Sequence, residues 1–422
     1  MGGFFDFSAK LLEADKKALK CCKEVFGHID EIAEYNQQKM LKAFIKNKVR
    51  EAHFAGTTGY GYGDVGRDNL ERVLADCFGT EDSLIRHNFM SGTHTLTVAL
   101  FGVLRPGMKV LCVTGPTYDT LIGVIGKDRQ ADGSLRDFGI DWETLNLKAD
   151  GSVDIDTACN ILKKDKFSAV YIQRSRGYSL RPSLTAQQVD DIALRVKQIN
   201  PEIYVIVDNC YGEFTCRAEP TKADLIAGSL IKNPGGGIAS TGGYIAGRKD
   251  LIEKCANRLT APGVGKEIGA TLGHSRELYM GLFAAPHVTA QALKTAVYAA
   301  ALFELFGYGA TPRYNEERAD IIQCLLLENS KSLIVFCQGI QSGSPVDSDA
   351  IPEPWDMPGY DDKIIMAAGT FTLGASAELS ADAPLREPYA VWCQGGTVFE
   401  ASHIGILCAA QNLIDKGLLK NL

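Results

Sequence analysis

The sequence predicts an α/β protein: a mostly parallel central sheet, an N-terminal helical arm before it and a smaller α+β C-terminal domain after it. Three observations predict this. Short, nearly uninterrupted Val/Ile-rich runs alternate with helical stretches, as strands covered on both faces require. From Phe7 to about Ala52, apolar residues recur at helical spacing with no proline. At 422 residues the chain exceeds what one hydrophobic core usually serves.

Taken in order, residues 1–58 form the arm, one or two amphipathic helices. The segment Gly56-Thr-Thr-Gly-Tyr-Gly-Tyr-Gly-Asp-Val-Gly66 is too glycine-rich for regular structure. The large domain spans 59–287. A helix covers Asn69–Phe78, and Ser91-Gly-Thr-His-Thr opens another. Strands follow at Lys109–Val113, Ala169–Gln173 and Tyr204–Asp208. Between the last two, Thr185 caps a helix from Ala186 to Gln198 that closes before Pro201. An Ala-rich helix, Val288 to Phe306, opens the last domain, 288–422.

Composition excludes several functions. The net charge of −7, without dense Lys/Arg runs, argues against nucleic acid. The longest apolar stretch, Ala296–Phe306, is too short to span a bilayer and contains Glu304. The beginning of the chain lacks a signal-peptide pattern, and Asp6 breaks the myristoylation motif. Twelve scattered cysteines, none in C-x-x-C, read as reduced thiols of a cytoplasmic protein; no metal site is expected.

The chemistry-bearing residues come in a definite order. Ser91-Gly92-Thr93 begins a helix whose free N–H groups suit a phosphate, or form an ordinary cap. Tyr118 follows a strand end, where it can stack on a flat ligand or simply pack. Asp208 closes a strand at the carboxyl edge, where open α/β sheets hold ligands, although strand-end Asp also caps loops. Tyr211 follows three residues later. Ser229 precedes Lys232 by three, in Ala227-Gly-Ser-Leu-Ile-Lys232-Asn-Pro-Gly-Gly-Gly. A deprotonated lysine there could attack a carbonyl; by itself it is a lysine beside a turn.

In combination these residues resemble fold type I enzymes that use pyridoxal 5′-phosphate (PLP). More closely they resemble the cystathionine/methionine lyase group, in its methionine γ-lyase-like, aluminium-resistance branch. The motifs carrying the likeness are Thr57-Thr-Gly-Tyr-Gly-Tyr-Gly-Asp, Val207-Asp-Asn-Cys-Tyr-Gly-Glu-Phe, Ser229-Leu-Ile-Lys-Asn-Pro-Gly-Gly-Gly and Gly395-Gly-Thr-Val-Phe-Glu. The resemblance implies the PLP-dependent transferase fold, with Lys232 as Schiff-base lysine and proton carrier. It implies Asp208 at the pyridine nitrogen, Tyr118 stacked on the ring, and Ser91, Gly92, Thr93 and Ser229 at the phosphate. Tyr211 is within the cofactor set, near the ring's phenolic oxygen. Tyr60 matches a tyrosine lent to the neighbouring subunit, so at least a homodimer, and a homotetramer by analogy, is expected. Arg386 is the candidate grip for the carboxylate of a small amino-acid substrate. Two departures are plain: Ile231 replaces a Thr before the lysine, and Tyr62 replaces an Arg near the lent tyrosine.

The expected activity is β- or γ-elimination from an amino acid, a sulfur-containing one as the resemblance to this branch implies. Rivals are an aminotransferase and a PLP-binding protein without turnover. Gly61-Tyr-Gly63-Asp-Val-Gly66 formally matches a dinucleotide fingerprint, but a helical arm precedes it where that motif needs a strand.

Overall fold

The computed structural model describes residues 4–127, 132–357 and 362–421. It divides into two compact units, Tyr35–Ala285 and a second one made from Met1–Glu34 with Pro286–Leu422.

The N-terminal arm is one helix, α1 (Ala9–Lys46), followed by a short 3-10 turn at Glu51–Phe54. In the Tyr35–Ala285 unit come α2 (Val65–Phe78), β1 (Asp82–Arg86), α3 (Gly92–Val103), β2 (Lys109–Cys112), α4 (Asp119–Ile125) and β3 (Asp141–Thr144). Then follow α5 (Ile155–Lys164), β4 (Ala169–Gln173), α6 (Ala186–Ile199), β5 (Tyr204–Asp208), β6 (Leu225–Ser229), β7 (Gly243–Gly247) and α7 (Lys249–Leu259). Helix α8 (Ser275–Leu305) begins in this unit and continues into the other.

The seven strands lie in the order β1-β7-β6-β5-β4-β2-β3. Strands β3, β2, β4, β5 and β6 are parallel, while β7 runs antiparallel to both β6 and β1. Apolar cores lie on both faces, as the continuous apolar strands require: Val170, Ile172, Val205 and Val207 belong to one, Tyr171, Ile206 and Ala227 to the other. Register sets Gln173 opposite Asp208 and Asp208 opposite Ala227, so β4 and β5 end side by side while β6 runs two residues further, to Ser229.

Two helix starts differ from expectation by several residues. Helix α2 starts at Val65 because the Asp64 carboxylate accepts the Arg67 N–H at 2.9 Å, so the glycine-rich segment ends inside the helix. Helix α8 starts at Ser275 and passes through Pro286. Proline normally ends a helix, but Leu278, Tyr279, Leu282 and Ala285 bury fully on the turns before it. Packing outweighs the lost hydrogen bond. Thr185 caps α6 as expected, with Gln188 completing a reciprocal capping pair. The fingerprint-like Gly61–Gly66 segment follows α1 and the 3-10 turn, not a strand.

In the second unit β8 (Gly309–Thr311), β9 (Gln323–Leu326), α9 (Ser330–Ser342), β10 (Ile364–Ala367), β11 (Ser380–Pro384), β12 (Ala390–Gln394) and α10 (Phe399–Asp415) form an antiparallel sheet, β10-β11-β12-β9-β8, with helices. Buried Asp15 on α1 accepts from Tyr298 Oη at 2.9 Å and lies 2.6 Å from His403 Nε2, tying three helices of this unit together. Among the described residues no helix is long and apolar enough to cross a membrane, and all twelve cysteines are free.

Candidate active site

The parallel strands carry the site at their carboxyl ends. Asp208 ends β5, Ser229 ends β6, and Lys232 stands three residues beyond. Across from them begins α3, capped by Ser91, whose hydroxyl accepts the His94 N–H at 3.1 Å. Gly92 brings the helix start close to the sheet: a Cβ on it would lie 3.4 Å from Ser229 Cβ and 3.6 Å from Cys210 Sγ. Ser229 Oγ is buried and makes no hydrogen bond. A buried hydroxyl without a partner, close to the start of a helix, is what a phosphate would satisfy.

Tyr118 caps α4, and its backbone N–H donates to Gln173 Oε1 at 2.9 Å. Its hydroxyl is 3.2 Å from Thr93 Oγ1, which in turn is 2.9 Å from Thr120 Oγ1. Burial, then the charge of Asp208, holds the Tyr118 phenol above its ordinary pKa, so it stays protonated at neutral pH. Asp208 is buried, and its Oδ1 accepts the Cys210 N–H at 3.1 Å. Burial pushes its carboxyl up; the Cys210 bonds and the charges of Lys232 and Arg181 pull it back. A cationic ring nitrogen at this carboxylate would counter the same burial. Lys232 Nζ lies over the Tyr211 ring, 3.5 Å from its centroid.

The structure therefore brings Ser91, Gly92, Thr93, Tyr118, Asp208, Tyr211, Ser229 and Lys232 to one end of one sheet. Tyr60 lies in the same unit on the loop before α2, 74% exposed, with its ring 5.7 Å from that of Tyr62. That loop is fixed: Gly269 N donates to Tyr60 O at 2.9 Å, and Arg67 Nη1 donates to Gly61 O at 2.9 Å. Arg386 belongs to the second unit, in the turn between β11 and β12. There its guanidinium pairs with Asp362 at 2.8 Å.

Sequence reasoning missed the charged network behind the site. Arg174, wholly buried, donates to Leu184 O (3.0 Å), Asn209 Oδ1 (2.8 Å), Thr215 Oγ1 (3.3 Å) and Glu219 Oε2 (3.3 Å). Asn209 donates to Glu219 and to Tyr244 Oη, which donates to Glu213 Oε1 at 2.7 Å. The one signal was Gln173-Arg-Ser-Arg, charges following directly on a buried strand.

Burial pushes the Glu213 carboxyl up to about 8. An acid whose folded pKa lies above its unfolded value contributes stability that is complete below the unfolded value, about 4.3, and lost as pH rises through about 8. Glu213→Gln should therefore gain stability relative to the parent between pH 5 and 8, by at most about 1.4 kcal/mol per pH unit. Thermal melts of both proteins across that range check it; a constant difference in Tm contradicts it.

A seven-stranded α/β sheet with a lysine turn, a strand-end aspartate and a helix-capping hydroxyl cluster at its carboxyl edge has the fold of the type I PLP-dependent enzymes. The chain belongs to the methionine γ-lyase family: the family profile described as methionine gamma-lyase matches residues 11–414. It is 46% identical over 410 residues to the uncharacterised protein YnbB of Bacillus subtilis, covering 96% of this chain and 97% of that one. It is also similar to the crystal structure of a carbon-sulfur lyase involved in aluminum resistance from Clostridium novyi NT. That match has 48% identity and a TM-score of 0.93, covering 96% of each chain. The pyridoxal-5′-phosphate-dependent protein YhfS of Escherichia coli shares the fold at 17% identity, with a TM-score of 0.63 over 92% of this chain and 97% of that one.

Proposed function

We propose that this chain holds pyridoxal 5′-phosphate on Lys232 and eliminates a sulfur group from the β or γ carbon of a small amino acid. The observation that carries the reading is the joint placement of the Lys232 turn, buried Asp208 and unpartnered Ser229 Oγ around one helix start. When bound, the cofactor supplies an electron sink for the charge left at the substrate's α-carbon. Asp208 holds a proton at the ring nitrogen. Ser91, Gly92, Thr93 and Ser229 bind the phosphate, and Tyr118 covers the ring face. Lys232 Nζ takes the α-proton, and either Lys232 or the Tyr118 hydroxyl gives a proton to the departing sulfur. Arg386 exchanges Asp362 for the substrate carboxylate. Tyr60, exposed in a single chain, reaches the phosphate of a neighbouring subunit, so the working form is a homodimer or a homotetramer. Its setting is the cytoplasm, and neither nucleic acid nor membrane is a partner.

The test is the visible spectrum of the purified protein before and after borohydride, with mapping of the labelled peptide. A yellow band removed by borohydride, with the label on Lys232, is expected. Sulfur amino acids should then consume water and release thiol, ammonia and a 2-oxo acid; release of the oxo acid alone, with the cofactor left as its amine, would mean transamination instead. A protein that stays colourless after PLP is added overturns the reading. Ser229→Ala should lose PLP about tenfold faster, one charge-assisted hydrogen bond being worth roughly 1.5–3 kcal/mol. The cofactor-free variant should melt with its parent, since the hydroxyl has no partner to lose. Unchanged cofactor retention removes Ser229 from the phosphate set.

A further inference from the structure

Tyr211 has φ of +69°, a left-handed backbone that a bulky L-residue rarely adopts and that persists only where its surroundings over-determine it. Here they do. Asn233, the residue after Lys232, donates through Nδ2 to both Tyr211 O and Glu213 O at 3.0 Å. Gly212 N donates to Asn209 O at 3.0 Å. Gly212 must be glycine, because a Cβ would lie 2.5 Å from Arg174 Nε. The buried network around Arg174 thus fixes the loop after β5 from behind, and the Asn233 amide fixes it from the lysine's side. The outcome of this arrangement is the Tyr211 ring under Lys232 Nζ, 3.5 Å from its centroid. An ammonium at that distance from a ring face is attracted by the ring quadrupole, more strongly as water is excluded.

We propose that Tyr211 is a positioning residue whose ring face stabilises the ammonium form of Lys232, so that the lysine's uptake of a substrate proton is favoured. This rests on the reading of Lys232 as proton carrier. In that step the neutral amine forms an N–H bond as the substrate's Cα–H bond breaks. The bonding pair stays with the α-carbon and its electron sink, and the new ammonium rests over Tyr211. The face does this work, distinct from any contact made by the phenolic oxygen.

The test replaces Tyr211 with Phe and then with phenylalanines carrying one, two and three ring fluorines, which drain the face of negative charge at nearly constant shape. In cofactor-free protein, acetylation of Lys232 at pH 8 is followed by mass spectrometry against exposed Lys249, because only the neutral amine reacts. Labelling should rise stepwise, by about fivefold across the series. In the PLP-loaded proteins, exchange of the substrate α-proton with deuterated water should fall in the same order. A flat labelling series overturns the proposal. If the loaded protein shows a borohydride-labelled Lys232 while proton exchange is flat, only the catalytic part of the Tyr211 proposal is overturned. If no such label forms, the proposed function fails, and the catalytic part with it.

Discussion

Lys232→Ala should lower turnover by about 10³-fold or more while PLP remains bound, though more weakly. Positioned proton transfer alone contributes roughly 10²–10⁴-fold, and the substitution would also remove the proposed covalent anchor. Ser91, Gly92 and Thr93 form the start of α3 and Ser229 lies beside it, independently of Lys232, so the proposed phosphate contacts should survive the change. The measurements are product release by the purified variant and its absorbance after equilibration with PLP. A small primary amine added in solution should restore a fraction of the activity, because it can replace a missing proton carrier but not a misfolded site. Activity within tenfold of the parent would remove Lys232 from the chemistry.

The second large effect is on stability. Arg174→Met should lower the melting temperature by about 10 °C. The guanidinium is 0% exposed and is the cation paired with buried Glu219 at 3.3 Å. Removing one partner of a buried pair costs roughly 3–5 kcal/mol because the other is left uncompensated. For a unit of this size each kcal/mol moves Tm by about 2–4 °C. Adding Glu219→Gln should recover part of the loss, since the two residues share one network and their effects do not add. A decrease below about 2 °C, or no recovery in the double variant, would show that the network is solvated or already neutral.

The sequence made the parallel part of the sheet legible. Ala169–Gln173 and Tyr204–Asp208 are strands with those same bounds, because β-branched residues buried on both faces leave an unbroken apolar run. Asp208 was conspicuous as the first charge after such a run, and Ser91 as a hydroxyl opening a helix. The antiparallel edge was not legible. Asp82-Ser-Leu-Ile-Arg86 mixes charge with apolar residues, and Gly243-Tyr-Ile-Ala-Gly247 is bounded by glycines, so neither has the composition of a buried strand. Arg174, signalled only by the charges that follow β4, and Glu213 and Glu219, not signalled at all, were hidden for another reason. Charged residues lie outside by default, and only three-dimensional pairing shows that these do not. The left-handed turn at Tyr211 was hidden similarly, since its causes, Asn233 and Arg174, lie far along the chain. Arg386 was a candidate only through the family resemblance, and its Asp362 partner was not visible in the sequence.

The second compact unit is assembled from both ends of the chain, Met1–Glu34 and Pro286–Leu422. During synthesis, Leu11, Ala18, Cys22 and Ile29, all buried in the finished protein, leave the ribosome with no partner segment yet made. At about 5–20 residues per second, the chain from Tyr35 to Ala285 takes tens of seconds to emerge. That stretch is continuous and can collapse on its own as it appears. Residues 9–34 of α1 must instead wait in solution with their apolar stripe uncovered until the last third of the chain arrives. For that interval the nascent protein presents a ready ligand for a chaperone that binds amphipathic helices, and a hazard where ribosomes are crowded on one message.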